Sequence, residues 1–255
     1  MPHRFACLAG ALLLCVANAG AAALPSIALL TEEYAPFNWT DKASGRVTGV
    51  STEVVAEMMR RAGRETSGPV VVPWARGLAV ASGTAHTCLY TAARVPEREA
   101  SYQWIGPIGH TEWVLFARAA DKIVLRKLDD ARSYTIGTYI GDASVSYLRE
   151  RHFKLDVTSS DRANPSKLQL RRIDLWSVMR LPGLNLLREL KIGDLEPVLT
   201  FTQADMYLAC NRDMERTEAT RLNDTLRQMY RDGTVRAIYT RFGYGKEAPA
   251  IEPAR

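Results

Sequence analysis

Short apolar runs alternate with amphipathic stretches along nearly the whole chain. "SIALLTE" (26–32) is a compact apolar run bounded by polar residues, which predicts a buried strand. After a polar turn near "DKASG", "STEVVAEMMRRAG" carries apolar residues at helical spacing and ends on a glycine. It predicts a helix capped by Ser51 or Thr52 and stopped at Gly63. "PVVVPW" predicts a strand, "ARGLAVASG" a short helix, and "TCLYTA" and "TEWVLFARA" two further strands.

Beyond residue 118 the alternation restarts. "SYTIGTY", "KLDVTS", "IDLWSVM" and "DMYLAC" predict strands. "DASVSYLRERH", "NPSKLQLRR" and "PGLNLLRELKI" predict the helices between them, with Pro182 near the start of the last. "ERTEATRLNDTLRQMYRDG" and "TVRAIYTRFG" predict two closing helices. Strand–helix alternation of this kind predicts α/β architecture with mostly parallel sheets. Two successive sets predict two lobes, with residues 24–118 and 205–245 in the first and 119–204 in the second. A ligand would then lie in the cleft between them, beyond the carboxyl ends of the strands.

The first residues change the picture of where this fold works. Arg4 precedes the apolar run "FACLAGALLLCVANAG", too short to span a membrane and followed by small-residue cleavage options after Ala19 or Ala23. Residues 1–23 read as a secretory signal peptide, and the expected location is the periplasm. The tail 246–255 reads as disordered. Net charge is +5 with bases scattered among acids, so neither nucleic-acid binding nor stable membrane insertion is expected. Two cysteines remain after cleavage, Cys88 and Cys210; an oxidising compartment permits a bond, and two buried thiols are the other reading.

Chemistry narrows the field by what the chain lacks. There is no HExxH, CxxC, GxSxG, phosphate loop or GxGxxG, and His86, His110 and His152 fall on separate elements. No metal and no cofactor is expected. Three stretches carry binding chemistry. "YAPFNW" follows the first strand and offers Tyr34 and Phe37 as a ligand surface, with Trp74 a further aromatic after a later strand. "TAARVPERE" holds Arg94 and Arg98, whose guanidinium forks match a carboxylate but whose neighbours Glu97 and Glu99 could equally pair with them. "IGTYIGDASVSYLRE" runs from a strand into a helix start, where Asp142 either caps the helix or takes part in binding.

Taken together, these stretches resemble the family 3 extracellular solute-binding proteins of bacterial ABC importers. The resemblance runs from "YAPFNW" and "GRVTGVSTEVVAEMMRRAG" to "LNDTLRQMYRDGTVRAIYTRFG". The family's first-lobe Thr-Pro-Glu-Arg motif is matched by Val95-Pro96-Glu97-Arg98, with Trp104 and Pro107 at the expected distances. The resemblance implies that Arg98 grips a ligand carboxylate, Tyr34 packs on the ligand and Thr91 hydrogen-bonds it. It leaves Arg94 without a role, so that residue stands as a second anchor or a salt-bridge partner. "RRIDLW" is similar to the family's "GRxDA" strand, with Asp174 at its aspartate. Two positions depart from the pattern: the glycine–threonine pair reads Gly141-Asp142, and Met179 stands where an acid would hold an ammonium group.

The expected function is therefore a monomeric periplasmic receptor that closes on a small polar or carboxylate-bearing ligand and delivers it to an ABC permease. With Met179 in place of the acid, standard α-amino acids are expected to bind weakly. The alternatives are a periplasmic enzyme on the same scaffold, resembling the cyclohexadienyl dehydratases with Glu32, Glu33 or Asp142 as proton donor, or a ligand-sensing module of a membrane receptor.

Overall fold

The computed structural model describes residues 25–249. The signal-peptide reading and the end of the tail lie outside these residues.

The first half begins with β1 (Ile27–Thr31) and a small hairpin, β2 (Trp39–Thr40) and β3 (Val47–Thr48), leading into α1 (Val50–Arg61). Then come β4 (Thr66–Val71), α2 (Trp74–Gly83) and β5 (Thr87–Ala93). A 3-10 turn over Pro96–Ser101 feeds β6 (Tyr102–Arg118). The second half holds β7 (Thr135–Tyr139), α3 (Ala143–Glu150), β8 (Lys154–Thr158), α4 (Asn164–Gln169), β9 (Leu175–Met179) and α5 (Arg180–Leu190). The chain returns through β10 (Leu195–Asn211) and ends with α6 (Arg216–Arg231) and α7 (Thr234–Arg241).

Eight strands form one sheet in the order β4-β1-β5-β10-β6-β9-β7-β8. The β4-β1-β5 and β9-β7-β8 groups are parallel, as the alternation predicts. Between them β6 and β10 pair antiparallel along their length, from Leu195 opposite Arg118 to Asn211 opposite Tyr102. β10 meets β5 over Met206–Cys210, whereas β6 meets β9 over Trp113–Phe116. These two long strands alone connect the two parallel groups within the sheet.

Both long strands exceed their predictions, and the reason is local. The predicted strand began only at Thr111, yet Gly106 and Pro107 lie inside β6 where the pairing with β10 slips between Met206 and Leu208. A proline is tolerated at such an irregularity because no ladder donor is required there. The disturbed backbone is satisfied by side chains instead. Asn223 Oδ1 accepts from the Gly106 N–H at 3.0 Å, and the Tyr230 hydroxyl donates to the Pro107 carbonyl at 2.8 Å.

The cap of α1 also differs from expectation. The helix begins at Val50 with Gly49 before it, and Ser51 and Thr52 are inside its first turn. Gly49 has φ 128°, and a Cβ there would lie 2.4 Å from the Phe37 carbonyl oxygen. That same oxygen accepts the N–H groups of Ser51 and Thr52, so a loop carbonyl replaces the side-chain cap. Beneath α1, α6 and α7 packs a continuous core that includes Ile27, Val54, Met58, Leu222 and Ile238. Cys88 and Cys210, opposite each other on β5 and β10, are joined by a buried disulfide. No described helix is long and apolar enough to cross a membrane.

Candidate functional site

The carboxyl ends of the strands in both groups converge on one cleft. Glu32 and Tyr34 follow β1, Trp74 follows β4, and Thr91 and Ala93 end β5. From the other side come Tyr139 at the end of β7, Asp142 and Ala143 at the start of α3, and Met179 at the end of β9. Trp113 of β6 and Arg98 of the 3-10 turn complete the lining. Parallel strands align their free carboxyl ends, so side chains distant in sequence meet at this edge. The space enclosed is narrow, about 10 Å³, roughly what one water needs.

Direct contacts bridge the two walls. The Trp74 indole donates to the Gly141 carbonyl at 2.9 Å, and Arg98 donates to the same oxygen through Nη2. Gly141 has φ 86°, and a Cβ would meet Trp74 at 3.1 Å, so the close approach depends on glycine. Tyr139 donates its hydroxyl to Glu32 Oε1 at 2.9 Å.

Arg98 has a second bond, from Nη1 to the Ala93 carbonyl at 3.2 Å, and its guanidinium carbon lies 5.7 Å from the Trp74 ring centre. Among the described residues it makes no ion pair. Burial lowers its pKa, with the field of Asp142 acting in the opposite direction. A guanidinium held by two carbonyls and an aromatic face keeps donors for an incoming anion.

Carboxyl groups face it. Burial pushes the Glu32 carboxyl well above the usual range, opposed by the Tyr139 hydrogen bond and reinforced by Asp161 and Asp142. Asp142 is likewise raised by burial, although it accepts from the Ser144 N–H at 2.7 Å. Asp161 is raised by burial to about 7, against hydrogen bonds from Asn164 and Trp176. The Tyr34 hydroxyl and the Trp113 indole N–H are both buried without a well-formed hydrogen bond among the described residues.

Of the residues picked from sequence, Tyr34, Trp74, Thr91, Arg98 and Asp142 are brought together here. Three are placed elsewhere. Phe37 is 1% exposed and belongs to the core under α1, while its carbonyl caps that helix. Arg94 projects to the surface and pairs with Glu99, Nε to Oε2 at 2.8 Å. Asp174 precedes β9 and accepts from the Thr135 N–H at 2.8 Å. Met179 lies five residues further along that strand, so Asp174 is about 16 Å from the cleft end. Glu32 and Glu33 separate as adjacent residues should. Glu33 turns outward to the Thr40 N–H and hydroxyl, while Glu32 lines the cleft.

Trp113, Tyr139 and Asp161 were not singled out from sequence. Tyr139 had a usable signal, since it ends a strand two residues before the Gly141-Asp142 turn. Trp113 had none, because it sits mid-strand. A larger hollow of about 480 Å³ near Gln103, Arg212 and Thr217 contains none of these residues and is an open surface depression. Among the described residues no cluster of His, Cys, Asp or Glu is arranged to hold a metal ion.

The cleft thus lies at the carboxyl ends of two parallel strand groups joined by two long strands. The model of the bacterial extracellular solute-binding proteins, family 3, matches residues 27–245. The chain belongs to this family. No curated protein matches it. Among solved structures, the same fold recurs at low sequence identity. A histidine kinase sensor domain with similarity to periplasmic binding proteins has a TM-score of 0.79 at 20% identity, covering 89% of this chain and 98% of its own. A substrate-binding protein of an ABC uptake transporter from Streptococcus pneumoniae, with bound histidine, has a TM-score of 0.78 at 14% identity, covering 89% and 95%. A protein of glutathione import in Streptococcus mutans has a TM-score of 0.78 at 16% identity, covering 88% and 97%. These likenesses establish the two-lobed α/β fold.

Proposed function

We propose that this family 3 protein is a periplasmic receptor, exported by its N-terminal segment, that captures a small carboxylate-bearing ligand. It works as a monomer and hands the ligand to an ABC permease. The lobes, drawn at residues 24–118 with 205–245 and at 119–204, close about β6 and β10. The observation that carries this reading is Arg98: half-buried at the cleft, without an ion pair among the described residues, and bonded to main-chain carbonyls. A ligand carboxylate would replace the Gly141 carbonyl on the guanidinium and offer acceptors to the Tyr34 hydroxyl and Trp113 N–H. Closure is favoured by whatever binds the closed form better than the open one.

A thermal-shift screen of amino acids, dicarboxylates, polyamines and aromatic acids tests the reading. At least one carboxylate should raise the melting temperature of the wild type and leave that of Arg98→Ala unchanged. Equal stabilisation of both proteins sinks the carboxylate clamp.

A second reading draws on Glu32. A carboxyl that burial pushes well above its ordinary range can serve as a general acid, so turnover of prephenate and arogenate by the purified protein should be measured alongside binding. The sensor-domain likeness keeps a signalling role in the same binding chemistry. A pull-down against membrane kinases separates it from transport.

A further inference from the structure

We propose that the end of the second lobe opposite the cleft is a docking surface for anionic lipid headgroups, on which the protein adsorbs without inserting. The inference does not depend on Arg98 or on what the cleft binds.

The strands of the second lobe define this surface. β7, β8 and β9 run parallel with their carboxyl ends towards the cleft, so their amino ends, at Thr135, Lys154 and Leu175, lie together at the far end. Two chain segments cover that end and are tied to each other. Residues 119–132, after β6, meet residues 169–172, between α4 and β9, at Asp121, which Arg171 grips at 3.0 Å. Asp194 reinforces the junction and marks its edge. Its carbonyl takes the Ala119 N–H and its carboxylate the Gln169 amide, both at 2.9 Å. Arg132 extends the surface to the end of α3 by donating to the Arg151 carbonyl at 3.0 Å.

Charge on this surface is one-sided. Residues 119–132 and 169–172 carry six bases against three acids, and residues 149–154 add three bases against Glu150. The three acids are engaged. Asp121 is held by Arg118 and Arg171, Asp129 by Arg132 at 2.6 Å, and Asp130 by the Arg126 and Lys127 N–H groups. Lys122, Arg126, Lys127 and Arg172 are exposed and make no ion pair among the described residues. Bases in the last turn of a helix complement its dipole, which accounts for Arg149. Lys122, Arg126 and Lys127 lie between β6 and β7, where no α-helix intervenes.

Aliphatic side chains stand outward among these bases. Ile123 and Leu125 pack into the second-lobe core, leaving Val124 79% exposed between Lys122 and Arg126. Leu170, 64% exposed, directly precedes Arg171 and Arg172. No other large apolar side chain among the described residues is as open to water as these two. Bases draw such a surface to a negatively charged plane, and small aliphatic groups then enter the headgroup layer. A fluid lipid interface accepts them without the matching pockets that an acidic protein would have to supply. Adsorbed this way, the protein keeps its cleft directed away from the headgroups.

Vesicle sedimentation tests the surface. The exported form, purified from the periplasm of an expression host, is mixed with vesicles of equal parts phosphatidylglycerol and phosphatidylcholine, or of phosphatidylcholine alone. Wild type should bind the anionic vesicles at least about 10-fold more tightly than the neutral ones. Binding should fall steeply at about 0.5 M salt, where the Debye length is about 4 Å. A variant carrying K122E, R126E, K127E and R172E should lose at least about 30-fold in vesicle affinity. A control carrying R46E, R212E, R216E and R236E, all exposed first-lobe positions with the same change in net charge, should stay within about 3-fold of wild type. Val124→Ser with Leu170→Ser should weaken binding about 3-fold or more. On anionic vesicles, hydrogen exchange should slow at residues 122–127 and 169–172. Circular dichroism and melting temperature check folding. Should the charge-reversed variant not fold, the same four positions changed to alanine must lose at least about 10-fold.

Equal losses in the second-lobe variant and the first-lobe control overturn the surface and leave only net charge. Binding that survives the second-lobe substitutions overturns it too, and assigns adsorption to another segment, the N-terminus included. Equal binding to neutral vesicles, or none to anionic ones, overturns the lipid assignment. Retention on immobilised polyglutamate with none on vesicles does the same and makes the partner an acidic protein.

Discussion

Arg94 and Arg98 leave the end of β5 four residues apart and meet opposite fates. Arg94 lies over the rings of Trp104 and Tyr207 at 5.8 and 5.4 Å and is paired with Glu99. Arg98 turns inward onto Trp74 and, among the described residues, bonds to the carbonyl oxygens of Ala93 and Gly141. The carboxyls around them diverge in the same way. Arg94 holds the Glu99 carboxyl below its ordinary value, whereas burial holds Glu32, Asp142 and Asp161 above theirs. The outer face is electrostatically satisfied by the protein itself. The inner face carries a guanidinium without an ion pair among the described residues and carboxyls that burial discourages from ionising, and perturbed groups of this kind mark candidate binding clefts.

The largest test of this contrast is removal of the inner arginine. Arg98→Ala should cost about 2–5 kcal/mol of ligand affinity, the range for truncating a buried charge partner, measured by titration calorimetry. A loss as large from Arg94→Ala would erase the distinction. Next comes the strand from which both arginines emerge. The Cys88–Cys210 disulfide ties β5 to β10 across a sequence separation of 122 residues. Replacing both cysteines by alanine should remove about 2–5 kcal/mol of folding stability, read from denaturant midpoints. An unchanged midpoint would show that the strand pairing suffices.

The inner carboxyls offer a third comparison, through pH. Asp161 ordinarily titrates near 3.8 and is raised to about 7 in the folded protein. The folded state therefore retains its proton, and its stabilising contribution is complete below pH 4. That contribution declines as pH rises towards 7, by up to about 1.4 kcal/mol per pH unit. Asp161→Asn carries no such dependence and should gain stability relative to wild type across that window. A relative loss would reverse the assignment of burial as the dominant cause. The smallest effect is expected at the surface. Arg94→Ala, which removes a pair 40% and 51% exposed, should change stability by less than about 1 kcal/mol and leave ligand binding intact.

Much of the fold was legible because the elements are short and strongly patterned. "TCLYTA" predicted β5 to within a residue, and Asp142 caps α3 as its position before an apolar-periodic stretch implied. The shortfalls have local causes. The part of β6 before Thr111, through Gly106-Pro107, was missed because bulged pairing cannot be seen from one strand. Ser51 looked like a cap because the competing carbonyl of Phe37 comes from a loop fourteen residues earlier in the chain. At the site, Arg98 and Thr91 were found through their place in a family pattern, whereas Trp113 and Tyr139 required knowing which strand ends meet. Phe37 shows the converse: an aromatic in a promising loop is packed into the apolar core instead of the cleft.

By itself the sequence determined the alternation of strands and helices, the α/β class, the kinship with family 3 and the arginine most suited to a carboxylate. The alternation and the class follow from periodicity, which acts over a few residues; the kinship and the choice of Arg98 follow from a resemblance to the family's motif pattern. Only the tertiary structure decided which charges are buried, which are paired, and that Glu32 faces Tyr139 across the cleft. The ionisation of a carboxyl and the availability of a guanidinium depend on solvent exclusion and on neighbours distant in sequence. Those neighbours meet only when the two parallel strand groups are joined through β6 and β10.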